Sequence, residues 1–437
     1  MSDLLERLLS GRLADIDGGP ALSVPTRTVA IASSLRDREA ALLAELDLGE
    51  RLLVVSDPTT RAVLGSRVER ALESIARVTP LVLPERPHAE AALATRIAEA
   101  AGNADAVIAV GSGTINDLCK HAGAQAGKPH AVFATAPSMN GYTSVNAAIT
   151  VAGHKKSLPA QSPSGVFIDL EVLAAAPTRM IRSGLGDSLC RPTAQTDWLI
   201  AHRLLGTPYR AMPFALLAED EAALFAEPAG LLEGDLEAMA RLARTLVLSG
   251  FGMTICGGSY PASQGEHLIA HILEMTLGAA AEESFHGEQI AVTTLTMARL
   301  QERLLSGPPP RLTAPNLTQA DFERRYGPET GASCWREFAK KQLDEAGAEA
   351  LNARLADHWH SIAEEVAAIA VPSARLEAAL LSVGGPTRPE DLGISSERYR
   401  SAVRHAREIR DRFTCLDLAA DSGLLDGRRL ETAPAAP

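Results

Sequence analysis

Six short apolar runs punctuate the first 170 residues: Thr28–Ser33 (TVAIAS), Leu52–Ser56 (LLVVS), Thr79–Leu83 (TPLVL), Ala106–Val110 (AVIAV), His130–Ala134 (HAVFA) and Gly165–Ile168 (GVFI). They show little polar–apolar alternation, which is the pattern of strands buried on both faces. The stretches between them, such as Pro58–Arg77 and Pro87–Asn103, suit crossover helices. Repeated strand–helix–strand units predict a parallel sheet. Residues 142–160 interrupt this rhythm with an Ala-Ile-Thr-Val run followed by Gly153, which predicts a β-hairpin excursion.

After Pro177 the periodicity changes. Residues 178–425 are rich in Ala, Leu, Glu and Arg, with helical spacing and few β-branched runs. Leu236–Leu248 and Glu288–Leu304 are predicted helices, Ser306–Pro315 (SGPPPRLTAP) a loop, and Thr432–Pro437 a disordered tail. The expected organisation is an α/β domain over residues 1–175 and an all-helical domain over 176–437, without internal repeats.

Composition narrows the function. A chain of 437 residues with 46% apolar and 22% charged residues has the make-up of a soluble globular protein with a large core. Its formal charge of −12 argues against nucleic acid as a partner but leaves room for a small anion in a locally basic pocket. Five scattered cysteines (Cys119, Cys190, Cys256, Cys334, Cys415) include no CxxC pair, so reduced thiols and a cytoplasmic location are expected. Met1–Pro20 is charged throughout and no run of about 18 apolar residues exists, so neither a signal peptide nor a membrane span is expected.

Candidate chemistry clusters at four places. Gly265–His271 (GEHLIAH) puts His267 and His271 on one helical face, and His286 follows 15 residues later before a glycine. Converging neutral imidazoles suit a divalent metal, although capping or core histidines fit the same spacing. Ala106–Val110 runs into Gly111-Ser112-Gly113-Thr114 and a helix. A helix N-terminus behind glycines can cradle a phosphate, and a tight strand–helix turn would read the same way. Ser56-Asp57 ends an earlier strand, where Asp57 can accept from a ribose hydroxyl or simply open the turn with Pro58. Residues 134–144 (ATAPSMNGYTS) lack a core pattern and match either a crevice-lining strand end or a plain polar loop.

Together, GSGTINDLCK, TAPSMNGYTS, GLGD at 184–187, GEHLIAH and FHG resemble the sn-glycerol-1-phosphate dehydrogenase family, within the superfamily of iron-containing alcohol dehydrogenases and 3-dehydroquinate synthases. The resemblance spans roughly residues 25–300 with the motifs in order. It implies a Rossmann-like N-terminal sheet with a helical, dehydroquinate synthase-like C-terminal domain. It implies NAD(P) and one divalent metal, zinc in most members, with nickel or iron as alternatives. By position the ligands are Asp187, His267 and His286, with His271 behind them in proton handling. Asp187 follows two glycines, so it also fits the N-cap of a new helix. The resemblance places cofactor at Asp57, Gly111, Ser112, Gly113, Thr114, Asp117, Thr135, Ser138 and Ser144. Asn140 and Lys155 (or Lys156) are implied at the substrate, the lysines being equally readable as solvated charges at a turn. The implied partner is a small phosphorylated substrate, and a homodimer follows by analogy only.

Three positions depart from the family pattern. Asn140 stands where the family commonly has Asp, and Tyr260 where it has an Arg used on the substrate phosphate. A phenol cannot replace a bidentate cation. Arg191 stands where the family often has Lys, which keeps a charge expected to compensate partly for Tyr260. The expected reaction is reversible NAD(P)H-linked reduction of dihydroxyacetone phosphate to sn-glycerol 1-phosphate, or of a close polyol phosphate. Asp57 favours NADH by repelling a 2′-phosphate. A 3-dehydroquinate synthase-like lyase would use the same metal and NAD, but Tyr260–His267 reads YPASQGEH and lacks that family's segment. An inert binding protein would have no need of Asp187, His267 and His286.

Overall fold

The computed structural model describes residues 3–151, 154–277 and 284–425, so the tail expected to be disordered lies outside the described residues. All six apolar runs are strands of one parallel sheet: β1 (Thr28–Ala32), β2 (Arg51–Ser56), β3 (Arg77–Val82), β4 (Ala106–Gly111), β5 (His130–Ala134) and β8 (Gly165–Asp169). The excursion between β5 and β8 is an antiparallel hairpin of β6 (Asn146–Val151) and β7 (His154–Pro159). The sheet order is β1-β8-β5-β4-β2-β3.

Side chains on the central strands point alternately to opposite faces, and both faces are dry. Leu53, Val55, Val107, Ala109, Val132 and Val166 enter one core, while Leu52, Val54, Ile108, Val110, Phe133 and Phe167 enter the other. The inner positions of these strands are therefore apolar on both sides, which is why alternation is missing from the sequence. Each fully buried Val, Leu or Phe contributes about 1.5–3 kcal/mol of transfer free energy. β3 carries Pro80, which lacks an N–H, and it sits at the sheet edge where only β2 pairs with it.

The helix expected across Pro58–Arg77 is divided. Asp57 caps a turn at Pro58–Thr60, a π-helical stretch covers Arg61–Gly65, and α1 (Ser66–Leu72) ends before β3 takes up Arg77. The later crossovers are α2 (Ala91–Ala101) and α3 (Gly113–Ala126).

No strand follows β8 among the described residues; helices take over. They include α4 (Thr178–Ser188), α5 (Arg191–Leu205), α6 (Leu236–Ile255), α7 (Gly265–Leu277), α8 (His286–Leu305), α9 (Glu345–Ala367) and α10 (Cys415–Asp421). α6 runs past its expected end at Leu248 because the glycines that weaken its helical pattern serve packing. A Cβ on Gly250 would meet Thr143 Oγ1 at 2.1 Å, and that hydroxyl donates to Val247 O at 2.6 Å. Leu199, Leu268, Leu273, Leu355, Trp359 and Leu416 form a second interior within the helical half. Leu185 of α4 with Leu246 and Phe251 of α6 join the core of the sheet instead. That packing sets the helices carrying the candidate site against the strand ends. No helix among the described residues is long and apolar enough to cross a membrane.

Candidate metal and cofactor site

The strand order reverses between β2 and β4: the chain steps from β2 outward to β3, then returns to β4 and proceeds through β5 to β8. In open α/β sheets a ligand crevice forms at the carboxyl ends of the strands at such a reversal. Here those ends carry Asp57 and Gly111-Ser112. Asp57 Oδ1 accepts from Thr60 N at 2.8 Å while Asp57 N donates to Thr60 Oγ1 at 3.0 Å, so the carboxylate opens the turn through one oxygen. Ser112 and Thr114 are half-buried at the start of α3. Gly111 and Gly113 have no left-handed φ and are required by close approach instead. A Cβ would meet Ile115 at 2.5 Å from Gly111 and Met139 at 2.6 Å from Gly113.

Residues 135–144 lie against this turn. Thr135 N donates to Gly111 O at 3.1 Å, and Ser138 O accepts from Ser183 Oγ at 3.1 Å. Two of the expected cofactor positions carry internal bonds. Asp117 Oδ2 accepts from Ala148 N at 2.9 Å and Oδ1 pairs with Lys120 at 3.0 Å. Ser144 Oγ meets Lys120 Nζ at 3.1 Å as well as Gly141 O and Asn146 O. Lys120 is fully buried and ties α3 to the loop through Gly141 O at 2.8 Å. Sequence reasoning missed it, although a lysine three residues after Asp117 on an otherwise buried helix was a signal.

The same loop presses on α4, where a Cβ on Gly184 would lie 1.6 Å from Pro137 O. This close approach lets Asn140 N donate to Asp187 Oδ2 at 2.8 Å. Asp187 does not open a helix, contrary to the N-cap reading. It is the penultimate residue of α4, because Gly184 and Gly186 are contact positions inside the helix rather than breaks before it. Its Oδ1 is buried and has no hydrogen-bond partner.

His267, in the first turn of α7, brings Nε2 to 3.8 Å from that oxygen. His286 begins α8, with its ring centroid 5.2 Å from that of His267. One ligand atom from each of Asp187, His267 and His286 falls within 4.8 Å of the others, so a single ion fits among them. His267 Nδ1 faces Glu266 Oε1 at 2.9 Å, and burial lowers the imidazole to about 3, so the neutral ring donates there and turns its Nε2 lone pair inward. A carboxylate behind a ligating histidine fixes tautomer and orientation. Cys190, Glu266 and His267 form an overlapping donor set. Burial pushes the Cys190 thiol well up and its Sγ donates to Asp187 O at 3.1 Å, which favours the aspartate–dihistidine set. His271 stands outside the three, 6.0 Å ring to ring from both histidines, with Nδ1 on Glu274 Oε2 at 3.0 Å. Glu274 Oε1 also lies 3.5 Å from His286 Nδ1.

α8 is fastened to α4 around this point. Gly287 N donates to Ser183 Oγ at 3.2 Å, and Arg179 holds Glu288, whose Oε2 accepts from Phe285 N at 2.8 Å. Arg191 does not take up the role expected of it. It is fully buried, its Nε is 2.8 Å from Glu221, and its guanidinium lies 5.1 Å over the Phe214 ring. A cation so paired is already neutralised, and it leaves Tyr260 uncompensated at that position. The Lys155 side chain lies outside the described residues, and Lys156 is exposed.

A family model for iron-containing alcohol dehydrogenases matches residues 30–177. Glycerol-1-phosphate dehydrogenase (NAD(P)+) from Thermococcus sibiricus is 33% identical over 275 residues, covering 63% of this chain and 77% of its own. This chain belongs to the glycerol-1-phosphate dehydrogenase family. The family enzyme from Bacillus licheniformis is 26% identical over 91% of this chain and 90% of its own, so the likeness extends past residue 300. Among solved structures, a probable glycerol dehydrogenase from Sinorhizobium meliloti superposes with a TM-score of 0.61 at 19% identity, over 92% of this chain and 97% of that one. That likeness shows the shared fold.

Proposed function

We propose that the protein catalyses the reversible NAD(P)H-linked, metal-dependent reduction of dihydroxyacetone phosphate to sn-glycerol 1-phosphate. The observation that carries this reading is the convergence of Asp187, His267 and His286, with an unpartnered Asp187 Oδ1, beside a helix start at the sheet's reversal point. Family membership supplies the reaction and the cofactor class. Those three side chains would hold a zinc ion, which supplies Lewis acidity toward a carbonyl oxygen, and the nicotinamide supplies hydride.

The chain's own residues would do the rest. Ser112, Gly113 and Thr114 offer the amides at the start of α3 to the pyrophosphate. Asp57 keeps Oδ2 for a ribose hydroxyl, which favours NADH. Asn140 Nδ2 is buried without a partner and donates to a substrate hydroxyl. His271, held at Nδ1 by Glu274, takes up a proton from solvent at Nε2 and passes that proton to the carbonyl oxygen as hydride reaches its carbon. On this reading residues 1–175 serve the cofactor and 176–437 the metal and substrate. Five unpaired cysteines support a cytoplasmic location. Zinc-loaded protein should oxidise NADH or NADPH only when dihydroxyacetone phosphate is added, forming the sn-1 product. No turnover with zinc, nickel or iron and either nucleotide would refute the assignment.

A further inference from the structure

α7 carries His267 in its first turn, and the amides at its start have no acceptor in the helix backbone. Gln264 N donates to Glu266 Oε1 at 2.7 Å, and Gly265 N donates to Asp197 Oδ2 at 3.0 Å. Asp197 lies near the middle of α5 and is wholly buried. Its other oxygen accepts twice, from Gln301 Nε2 of α8 at 3.0 Å and from Cys415 N at the start of α10 at 3.0 Å. The Thr414 hydroxyl already serves Leu416 N at 3.2 Å, so Asp197 takes the neighbouring amide of the same helix start. Gln301 Nε2 also donates to Thr193 O at 2.9 Å, which fixes its amide against α5. The approach to α7 is tight: a Cβ on Gly265 would meet Asp197 Oδ2 at 2.8 Å and Met297 Cε of α8 at 2.4 Å.

One carboxylate thus belongs to α5 and takes hydrogen bonds from α7, α8 and α10. His267 is on α7 and His286 on α8, while α5 begins just after α4, which carries Asp187. Hydrogen bonds to a carboxylate are among the strong ones, and a buried acceptor that loses a donor has no water to replace it. The three donors therefore share one fate, because shifting the start of α7 or of α10 leaves their common acceptor under-satisfied. We infer that Asp197 is a positioning residue that fixes His267 relative to His286 and couples the C-terminal helix Cys415–Asp421 to the metal set. The inference rests on the metal set proposed above. Asp197 acts through the backbone of Gly265, two residues before His267, and through Gln301 on the helix that His286 begins. The segment beyond residue 306 thereby takes part in the site, holding it from behind through Cys415 N.

The test uses the full-length protein, zinc, and the variants Asp197→Asn and Gln301→Met. An Asn amide keeps one acceptor oxygen, so in either orientation its Nδ2 faces a donor: Gly265 N, or Cys415 N with Gln301. Asp197→Asn should weaken zinc binding roughly 10-fold in competition with a chromophoric chelator, as when groups that orient ligands are lost. Gln301→Met removes one donor, keeps both backbone bonds, and should weaken binding about 3-fold, the loss of a single hydrogen bond. Hydrogen exchange adds a readout that a merely structural role would not move. In wild type, zinc should slow exchange over Gly265–Leu268 and over Cys415–Leu418 together. In Asp197→Asn, zinc should slow the first segment and leave the second unchanged. Zinc-independent exchange of Cys415–Leu418 in wild type, or equal protection of it in Asp197→Asn, would overturn the coupling. Wild-type zinc affinity in folded Asp197→Asn, or in Gln301→Met where Asp197→Asn does not fold, would overturn the positioning role. A wild type that binds no zinc would instead overturn the metal set itself, and the inference with it.

Discussion

Gly287 is the position at which one methyl group should dismantle the metal site without touching a ligand atom. It follows His286 at the start of α8, where α8 crosses α4 backbone to backbone. A Cβ at Gly287 would sit 1.9 Å from Ser183 O, and ordinary contact begins at 3.4 Å. The obstacle is main chain, so no side-chain rotation relieves it, and the hydrogen bond from Gly287 N to Ser183 Oγ at 3.2 Å would stretch with any retreat. Asp187 is on α4 and His286 on α8, so separating the helices pulls the ligands apart. Metal–ligand distances tolerate only about ±0.2 Å, far less than the required shift. Gly287→Ala should therefore weaken zinc binding by about 10- to 100-fold, as when groups that aim a ligand are lost. Overpacking should also cost about 1–3 kcal/mol of stability. The assay is competition with a chromophoric zinc chelator on protein shown to be folded by circular dichroism. Gly307→Ala is the control, since its Cβ would meet only Leu304 O and Arg303 O, at 3.7 and 3.8 Å. Wild-type zinc affinity in folded Gly287→Ala would refute the claim that this crossing positions the ligands.

Two further outcomes follow from the geometry. His267→Ala and His286→Ala should each lose metal and activity, whereas His271→Ala should keep most of its metal and lose turnover; elemental analysis with steady-state rates checks this, and full metal retention in either ligand variant would exclude the site. Asp169 accepts from Leu35 N at 3.0 Å and from Arg67 at 2.6 Å. Burial alone would raise its carboxyl, but Arg67 and the amides of Leu35 and Val172 outweigh it and hold it below 3.8. A depressed carboxyl contributes stability that is present above the unfolded value and lost as pH falls through the folded one. The gap in melting temperature between wild type and Asp169→Asn should hold at neutral pH and close below about pH 4; a gap independent of pH would count against the ionic contribution.

The sheet was legible from the chain because its cause is local. Runs dominated by apolar residues without alternation, as in the central strands β2, β4, β5 and β8, are buried by covering both faces, and the helices between them leave parallel pairing as the economical connection. The histidines of α7 and α8 and the glycine turn after β4 were likewise visible as candidates. Resemblance to the family, rather than spacing, singled out Asp187. What the sequence could not disclose depends on which surfaces meet. The GLGD motif looked like a helix start, yet Gly184 and Gly186 are where α4 is approached by Pro137 O and Gly287 O. Arg191 reads in the chain as a compensating cation, yet Glu221 lies against it, and the buried tie from Lys120 to Gly141 O depends on a loop 21 residues away. Hydrophobic periodicity records only whether a position is buried. The partner of a buried charge, and the clearance around a glycine, belong to packing between segments far apart in the chain, and only the tertiary structure decides them.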